Sequence, residues 1–160
     1  MALDIIAELE AIVDALDAAG IDYAVCGGLA MGILAVPRMT KDIDLLVREA
    51  DVVRAKATVQ ALGFDIPAEP MTFRQGSPDE QKMHRVSKLD SETSNLLSLD
   101  FLVVEPVFEE VWDSRIVVRY LNRNVKVVSV DGLVTMKTRA GRPTDLRDIE
   151  QLKFSDGDET

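Results

Sequence analysis

The sequence predicts a single domain of the α/β (α+β) class, in which helices flank a mixed β-sheet. Apolar patterns typical of helices and of strands are intermixed along the chain, and sequences typical of β-hairpins occur late in the chain. Both features are typical of such a sheet. The 160 residues are 47% hydrophobic and 29% charged, as is ordinary for one globular domain with a sizeable core. Because no repeat or long linker divides the chain, we expect residues 1–160 to form one domain whose tail, 155–160, is disordered.

The first 63 residues are expected to alternate between helix and strand. Apolar residues recur at helical spacing over 5–16, and Gly20 follows as a helix stop. Pro37 ends a short helix, and Asp51 is placed to cap another that stops at Gly63. The expected elements are a helix over 5–16, a strand over 21–26, a helix from 27 to about 35, a strand over 41–47 and a helix over 52–62.

Turn-forming residues separate the elements predicted for the rest of the chain. Pro67 and Pro70 mark a turn region, residues 75–79 join two strands, and residues 122–124 form a hairpin turn. Residues 141–143 separate two helices. The expected elements are strands over 71–74 and 82–89, a strand around Asp100, hairpin strands over 114–121 and 125–129, and helices over 132–140 and 144–154.

The charge balance bears on possible partners. With 28 acidic and 18 basic residues the formal net charge is −10, which argues against broad, non-specific binding of nucleic acid. The charge balance does not exclude a local basic groove on the surface. The alternative interpretation is that the basic residues simply lie on a solvated surface. The cations of such a groove would come from one of two clusters, Arg115, Arg119, Arg123 and Lys126 or Lys137, Arg139 and Arg142.

Targeting and redox signals are sparse. No apolar run approaches the roughly 20 residues that cross a bilayer, and the N-terminus does not resemble a signal peptide. The single cysteine, Cys26, cannot form an internal disulfide and is expected to be a small buried residue, with a reactive thiol as the alternative. We therefore expect a cytoplasmic protein with no membrane partner.

Three aspartates lie within strands that should be largely apolar. Asp42 and Asp44 are two residues apart, so they project from the same face of their strand about 7 Å apart. Asp100 interrupts the apolar run over 96–104, where an unpaired charge is costly. If the two strands are neighbours, the three carboxylates meet and suit Mg²⁺ or Mn²⁺. The alternatives are an exposed edge strand for the first two, and backbone amides or an arginine satisfying Asp100.

A glycine pair follows the first predicted strand. Gly27 and Gly28 stand between that strand and a helix, where backbone amides and the helix N-terminus can hold a phosphate. A tight strand-to-helix turn is the alternative interpretation. Beside three acids, the pair suggests metal-assisted chemistry on a nucleoside triphosphate.

These motifs together resemble the nucleotidyltransferase superfamily with the DNA polymerase β-like fold. Gly27-Gly28, Asp42-Ile43-Asp44 and the later Asp100 match its order of glycine turn, paired acids and single acid. The spacing of Arg38 and Thr40 before Asp42 resembles a small bacterial branch that includes abortive-infection toxin-type nucleotidyltransferases. The C-terminal Lys137 and the segment 142–148 are also similar to that branch, and the resemblance spans about 21–152.

The resemblance implies an enzyme that moves a nucleotidyl group from a triphosphate to an acceptor hydroxyl with Mg²⁺ or Mn²⁺. Catalysis and metal binding would fall to Asp42, Asp44 and Asp100, with Asp100 also accepting the acceptor's proton. Nucleotide binding would fall to Gly27, Gly28, Arg38 and Lys137. The alternative for Lys137 is a solvated helix lysine, and for Arg38 a brace of the acidic strand.

The sequence does not distinguish among three acceptor classes, namely tRNA, an aminoglycoside-like small molecule and a protein. A partner protein or a homodimer could complete the cleft. A catalytically degenerate module that only binds a nucleotide or a protein, such as a toxin–antitoxin component, is the alternative function. Asp145 and Asp148 are expected to pair with nearby cations, His84 to be exposed, and Phe108 and Trp112 to lie in the core.

Overall fold

A computed structural model describes residues 3–35 and 39–157 of the chain, with side chains as far as Lys153. Arg38, predicted to bind the nucleotide or brace the acidic strand, lies outside the described residues. Six α-helices belong to the described part: α1 (Ile5–Ala18), α2 (Gly27–Leu34), α3 (Val52–Gln60), α4 (Glu109–Asp113), α5 (Val130–Ala140) and α6 (Pro143–Gly157). Its eight strands are β1 (Ala24–Cys26), β2 (Asp42–Val47), β3 (Ile66–Pro67), β4 (Met71–Phe73), β5 (Gln81–Leu89), β6 (Leu96–Val103), β7 (Ile116–Tyr120) and β8 (Arg123–Val127).

The strands form one mixed sheet in the order β3-β5-β6-β2-β1-β8-β7, and β4 pairs with β5 beside this path. The pairs β2–β6 and β1–β8 are parallel, and the remaining pairs are antiparallel. The mixed sheet flanked by helices that the sequence predicts is therefore confirmed. Its centre, β6-β2-β1, brings together strands that lie far apart in the chain.

Apolar periodicity explains how the sheet is covered. Helix α1 begins after Asp4, whose side chain accepts hydrogen bonds from the amides of Ile6 and Ala7. It buries residues at helical spacing, namely Leu9, Ile12, Val13 and Leu16. In β2 the alternate residues Ile43 and Leu45 are fully buried, whereas Asp42 and Asp44 are only partly buried. The acids thus lie on the face opposite those two core residues.

Several predicted boundaries are wrong by a few residues. The first strand begins at Ala24 rather than at residue 21, and Asp51 makes no side-chain cap to α3 because a 3-10 turn, Glu49–Asp51, comes before that helix. The hairpin turn uses the left-handed residues Leu121 and Asn122. Helix α6 continues to Gly157, beyond the predicted end at residue 154.

Two short elements were not predicted. Strand β3 has two residues and helix α4 has five, and neither is long enough to show an apolar period. Both depend on their neighbours, because β3 pairs with β5 and α4 packs against α5. None of the described helices is both long enough and apolar enough to span a lipid bilayer.

Candidate active site

The parallel pairing of β2 with β6 brings the three predicted aspartates together. Asp44 is in register with Asp100, and Asp42 projects from the same face two residues earlier. All three line one cavity of about 340 Å³, which Gly27 and Lys137 also line. The exposed-edge alternative for Asp42 and Asp44 is wrong, because β2 lies between β6 and β1 at the centre of the sheet.

Gly27 is needed for the placement of Asp44. Its φ of +66° lies in the left-handed region, and a Cβ atom there would overlap Oδ2 of Asp44 and lie 2.9 Å from its Cγ. The adjacent Cys26 is in register with Asp44 across the β1–β2 pair, which explains this close approach. Gly28 is buried in the first turn of α2 and is not among the residues that line the cavity.

The Asp44 carboxylate is held in an unfavourable electrostatic environment. Burial, and then the neighbouring charges of Asp100 and Asp42, raise its pKa from 3.8 to about 7. The positive charges of Arg142 and Arg85 lower that pKa, but by less than burial and the two carboxylates raise it. Among the described residues, no hydrogen bond or ion pair reaches the carboxylate of Asp42 or Asp44. The cavity thus contains negative charge that its own cations do not fully compensate.

Asp100 has a different environment, because Arg85 of β5 lies directly opposite it in the antiparallel β5–β6 pair. Arg85 Nε donates to Oδ1 of Asp100 at 2.7 Å, and Nη2 donates to Oδ2 at 3.0 Å. An arginine therefore satisfies Asp100, as the alternative interpretation of the sequence expected. Arg85 itself was missed, since only the register of β5 against β6 distinguishes it from the other basic residues of its strand.

Lys137 lies in the cavity wall but is not solvated. It is 5% exposed, and its Nζ donates to Oδ2 of Asp148 at 2.8 Å and lies 3.6 Å from Oδ1 of Asp145. Arg142 makes a two-point contact with the same Asp145, with Nε 2.6 Å from Oδ2 and Nη2 3.2 Å from Oδ1. The predicted pairing of Asp145 and Asp148 with nearby cations is confirmed, and the solvated-lysine alternative for Lys137 is wrong.

Of the other singled-out residues, most lie in the core. Phe108 and Trp112 are buried, as predicted. Cys26 is also buried, and burial followed by the charge of Asp44 raises the pKa of its thiol well above the usual value, which favours a structural cysteine over a reactive one. His84 is half-buried rather than exposed, and burial followed by Lys56 lowers its pKa.

Both basic clusters that could have gripped nucleic acid are mostly neutralised. Arg115 and Lys126 pair with Asp22, and Arg123 pairs with Glu10 and Asp14. In the second cluster Lys137 and Arg142 pair as described above, and Arg139 pairs with Asp79. These ion pairs leave little free positive charge at either place.

The cavity contains carboxylate oxygens, which are the type of ligand that a hard divalent cation prefers. Asp42 and Asp44 provide two carboxylates that no hydrogen bond or ion pair from the described residues reaches, and burial and the neighbouring acids disfavour the charged form of Asp44. The third carboxylate, that of Asp100, is taken up by Arg85. Within residues 3–35 and 39–153, whose side chains the structure describes, no three acidic, histidine or cysteine side chains are arranged as a complete metal site. The donor set fits Mg²⁺ or Mn²⁺, provided that Asp100 is released.

Comparison with solved structures shows a shared fold at low sequence identity. A protein from Thermotoga maritima that is assigned as a nucleotidyltransferase is 15% identical, with a TM-score of 0.63 over 91% of this chain and 90% of that one. A crystal structure of ANT(2″)-Ia in complex with adenylyl-2″-tobramycin is 16% identical, with a TM-score of 0.58 over 94% of this chain and 88% of that one. A comparison with curated protein sequences found no match.

The family comparison is more informative about activity. The model of a family described as nucleotidyl transferase AbiEii toxin, type IV toxin–antitoxin system, matches residues 10–159. The match includes the glycine turn, the three aspartates and the segment from Lys137 to Asp148. The chain is therefore an enzyme of the nucleotidyltransferase class, and it belongs to the AbiEii nucleotidyl transferase toxin family.

Proposed function

We propose that the cavity transfers a nucleoside monophosphate from a nucleoside triphosphate to an acceptor hydroxyl, with Mg²⁺ or Mn²⁺ held by Asp42, Asp44 and Asp100. The observation that carries this proposal is the register of Asp44 with Asp100 on neighbouring parallel strands, beside Gly27. A divalent cation there would neutralise charge on the attacking and leaving oxygens. The environment of Asp44 supports a cation in this place, because burial and the neighbouring carboxylates of Asp100 and Asp42 disfavour its charged form and raise its pKa.

In the proposed reaction the acceptor oxygen forms a bond to the α-phosphorus, and the bond from that phosphorus to the bridging oxygen of the β-phosphate breaks. Pyrophosphate leaves with the bonding electrons. Once Arg85 has released it, the Asp100 carboxylate accepts the proton of the acceptor hydroxyl. Asp42 and Asp44, on the neighbouring strand β2, would hold the cation beside Asp100.

The nucleotide would be bound at the Gly27 side of the cavity. Gly27 lines the cavity, and its amide begins helix α2, where a helix N-terminus favours a phosphate. We propose Gly28 for the same helix N-terminus and Lys137 for charge near the phosphates. Arg38 stays a proposal from the resemblance alone. Arg142 is 74% exposed at the cavity rim and is a further cation within reach of a phosphate.

The acceptor is proposed from three classes, namely tRNA, an aminoglycoside-like small molecule and a protein. The solved complex of ANT(2″)-Ia with adenylyl-2″-tobramycin supports the small-molecule class, because that protein has the same fold. The neutralised basic clusters also favour an acceptor that does not need a long positive groove. We further propose that a partner protein or a second copy of the chain completes the cleft, which the oligomeric state in solution would test.

A second candidate function is a degenerate module that binds a nucleotide or a protein without turnover. The Arg85–Asp100 pair is the specific observation that favours it, because one of the three acids is occupied by a cation of the protein itself. Calorimetric titration with ATP, with and without Mg²⁺, separates the two. ATP binding of equal affinity with and without Mg²⁺, and without turnover, would support the binding module.

The direct test incubates the protein with each α-³²P-labelled nucleoside triphosphate, Mg²⁺ and one acceptor class at a time. We expect metal-dependent labelling of one class, and loss of that signal in Asp44→Asn. Asp65→Asn removes an exposed carboxylate outside the cavity and should keep full activity. Equal activity of Asp44→Asn and the unmodified protein would contradict the assignment of Asp44.

A further inference from the structure

One row of side chains crosses three strands of the sheet at the cavity. Arg85 of β5 is paired in register with Asp100 of β6, and Asp100 is in register with Asp44 of β2. The row therefore reads cation, anion, anion. Its middle member is almost completely enclosed, since the Asp100 side chain is 5% exposed while that of Arg85 is 35% exposed.

The two carboxylates of this row differ in their hydrogen-bond partners. Both oxygens of Asp100 accept hydrogen bonds from the fork of the Arg85 guanidinium, at 2.7 and 3.0 Å. No comparable partner reaches Asp44 from the described residues, and burial beside Asp100 and Asp42 disfavours its charged form. Within the described part of the chain, a two-point arginine contact thus neutralises Asp100, whereas Asp44 has no such contact.

We propose that Arg85 is a positioning residue that withholds Asp100 from a divalent cation until a polyphosphate draws the guanidinium away. This inference rests on the proposed function. An arginine fork binds phosphate oxygens as well as it binds a carboxylate, and Arg85 lines the cavity with a third of its side chain accessible.

Release of Arg85 has an electrostatic consequence. It leaves Asp100 as a buried anion in register with Asp44, a costly arrangement unless another cation takes the place of the guanidinium. Polyphosphate binding at Arg85 and cation binding at the three aspartates therefore favour each other, and by thermodynamic linkage the effect is reciprocal. The nucleotide-free protein should hold the divalent cation weakly.

The test measures Mn²⁺ binding by electron paramagnetic resonance, without nucleotide, in the unmodified protein, Arg85→Met and Arg85→Lys. We expect Arg85→Met to bind Mn²⁺ at least about tenfold more tightly, because a competing charge within a few ångströms is lost. Arg85→Lys keeps the charge but not the two-point fork, and should bind about threefold more tightly. Lys88→Met, which removes a β5 cation paired with Glu8 outside the cavity, is the matched control and should change nothing.

A second readout is the binding of inorganic tripolyphosphate in EDTA, followed by calorimetry. We expect Arg85→Met to bind it about tenfold more weakly than the unmodified protein and the Lys88→Met control do. The lysine variant keeps the test decisive even if the methionine variant does not fold, because a lysine can still neutralise Asp100.

Each outcome distinguishes the role of Arg85 from the proposed function. If Mn²⁺ binds, is lost in Asp44→Asn, and binds equally well whichever residue stands at position 85, the role proposed for Arg85 is overturned while the metal site stands. If Arg85→Met binds Mn²⁺ more tightly but Arg85→Lys binds it as the unmodified protein does, only the positive charge at position 85 matters and not the two-point contact. That result also overturns the proposal. If no form of the protein binds Mn²⁺ in the millimolar range, both proposals fail.

Discussion

At the scale of single residues, Gly27 and Asp44 depend on each other. The sequence suggested that Gly27 is a glycine so that a phosphate can approach, and the structure adds that the Asp44 carboxylate already occupies the space of a Cβ atom. This second reason could not be seen in the sequence, because it arises from the antiparallel register of Cys26 with Asp44. The glycine turn therefore shapes the acidic site before any ligand binds.

We expect Gly27→Ala to lower the free energy of unfolding by at least about 3 kcal/mol, combining left-handed strain with steric overlap at Asp44. Gly20→Ala is a matched control, because Gly20 has a φ of +70° and nothing within 4 Å of its Cβ position. It should cost only about 1 kcal/mol, from the backbone conformation alone. Urea denaturation of both variants measures the difference, and equal costs would show that Asp44 does not restrict position 27.

Asp44 also predicts an unusual pH dependence of stability. Its pKa is about 7 in the folded protein, compared with 3.8 for an unperturbed aspartate, so the folded state binds the extra proton between these values. Stability is therefore lost as the pH rises from about 4 to 7, and the loss is complete above pH 7. Asp44→Asn, which stays neutral, should be no more stable than the unmodified protein at pH 4 and about 2 to 4 kcal/mol more stable at pH 8.

Denaturant unfolding at pH 4, 6 and 8 measures this difference. Groups with a lowered pKa, such as Asp22 and Asp145, destabilise both proteins in acid and cancel in the comparison. A constant difference between the two proteins at all three values of pH would show that the Asp44 carboxylate is not held in an unfavourable environment.

At the scale of secondary-structure elements, a buried ion pair fixes α5 against α6. Lys137 of α5 is 5% exposed and bonds Asp148 of α6, with Asp145 close by. A charge so deeply buried is costly unless it is paired, so each partner depends on the other. The packing of the two helices in turn places Lys137 in the cavity wall.

We expect Lys137→Met to lower the free energy of unfolding by about 3 kcal/mol, because it removes the buried cation that pairs with Asp148 and lies close to Asp145. Lys153→Met makes the same substitution at an exposed position of α6 and should change stability by less than about 0.5 kcal/mol. Thermal and urea unfolding provide the measurement. A Lys137→Met protein as stable as the control would contradict the structural role of the pair.

The elements also show what the sequence could and could not predict. Long apolar periods revealed α1, β2, β5 and β6, because the residues of each segment carry the signal themselves. Strand β3 and helix α4 are too short for a period and exist through contacts with β5 and α5. Arg85 escaped notice for the same reason, since its partner is fixed by strand register, 15 residues away in the chain.

At the scale of the whole molecule, acidic side chains lie against many of the basic ones. The cations that the sequence grouped into two basic clusters mostly face acids from other elements, such as Asp22, Glu10 and Asp79. Grouping the basic residues by their positions in the sequence overestimated the free positive charge. The sequence could not show which acidic residues from other elements pair with them. The fold class and the family are confirmed, whereas the roles of the individual site residues stay predictions.

We expect the protein not to bind unstructured RNA such as poly(U) at about 50 μM protein and about 150 mM salt, since few cations are free to displace counterions. Asp22→Asn removes the acid that faces Arg115 and Lys126, and should produce weak, strongly salt-dependent binding. Fluorescence anisotropy of labelled RNA provides the measurement. Tight binding by the unmodified protein would indicate a basic surface elsewhere in the chain.

The most direct test of the whole account is anomalous diffraction from crystals of the protein with Mn²⁺ and a non-hydrolysable nucleoside triphosphate. We predict a manganese peak bounded by Asp42, Asp44 and Asp100, with Arg85 turned from Asp100 to the phosphates. A triphosphate bound elsewhere, or manganese bound away from these aspartates, would contradict the proposal that this cavity performs nucleotidyl transfer.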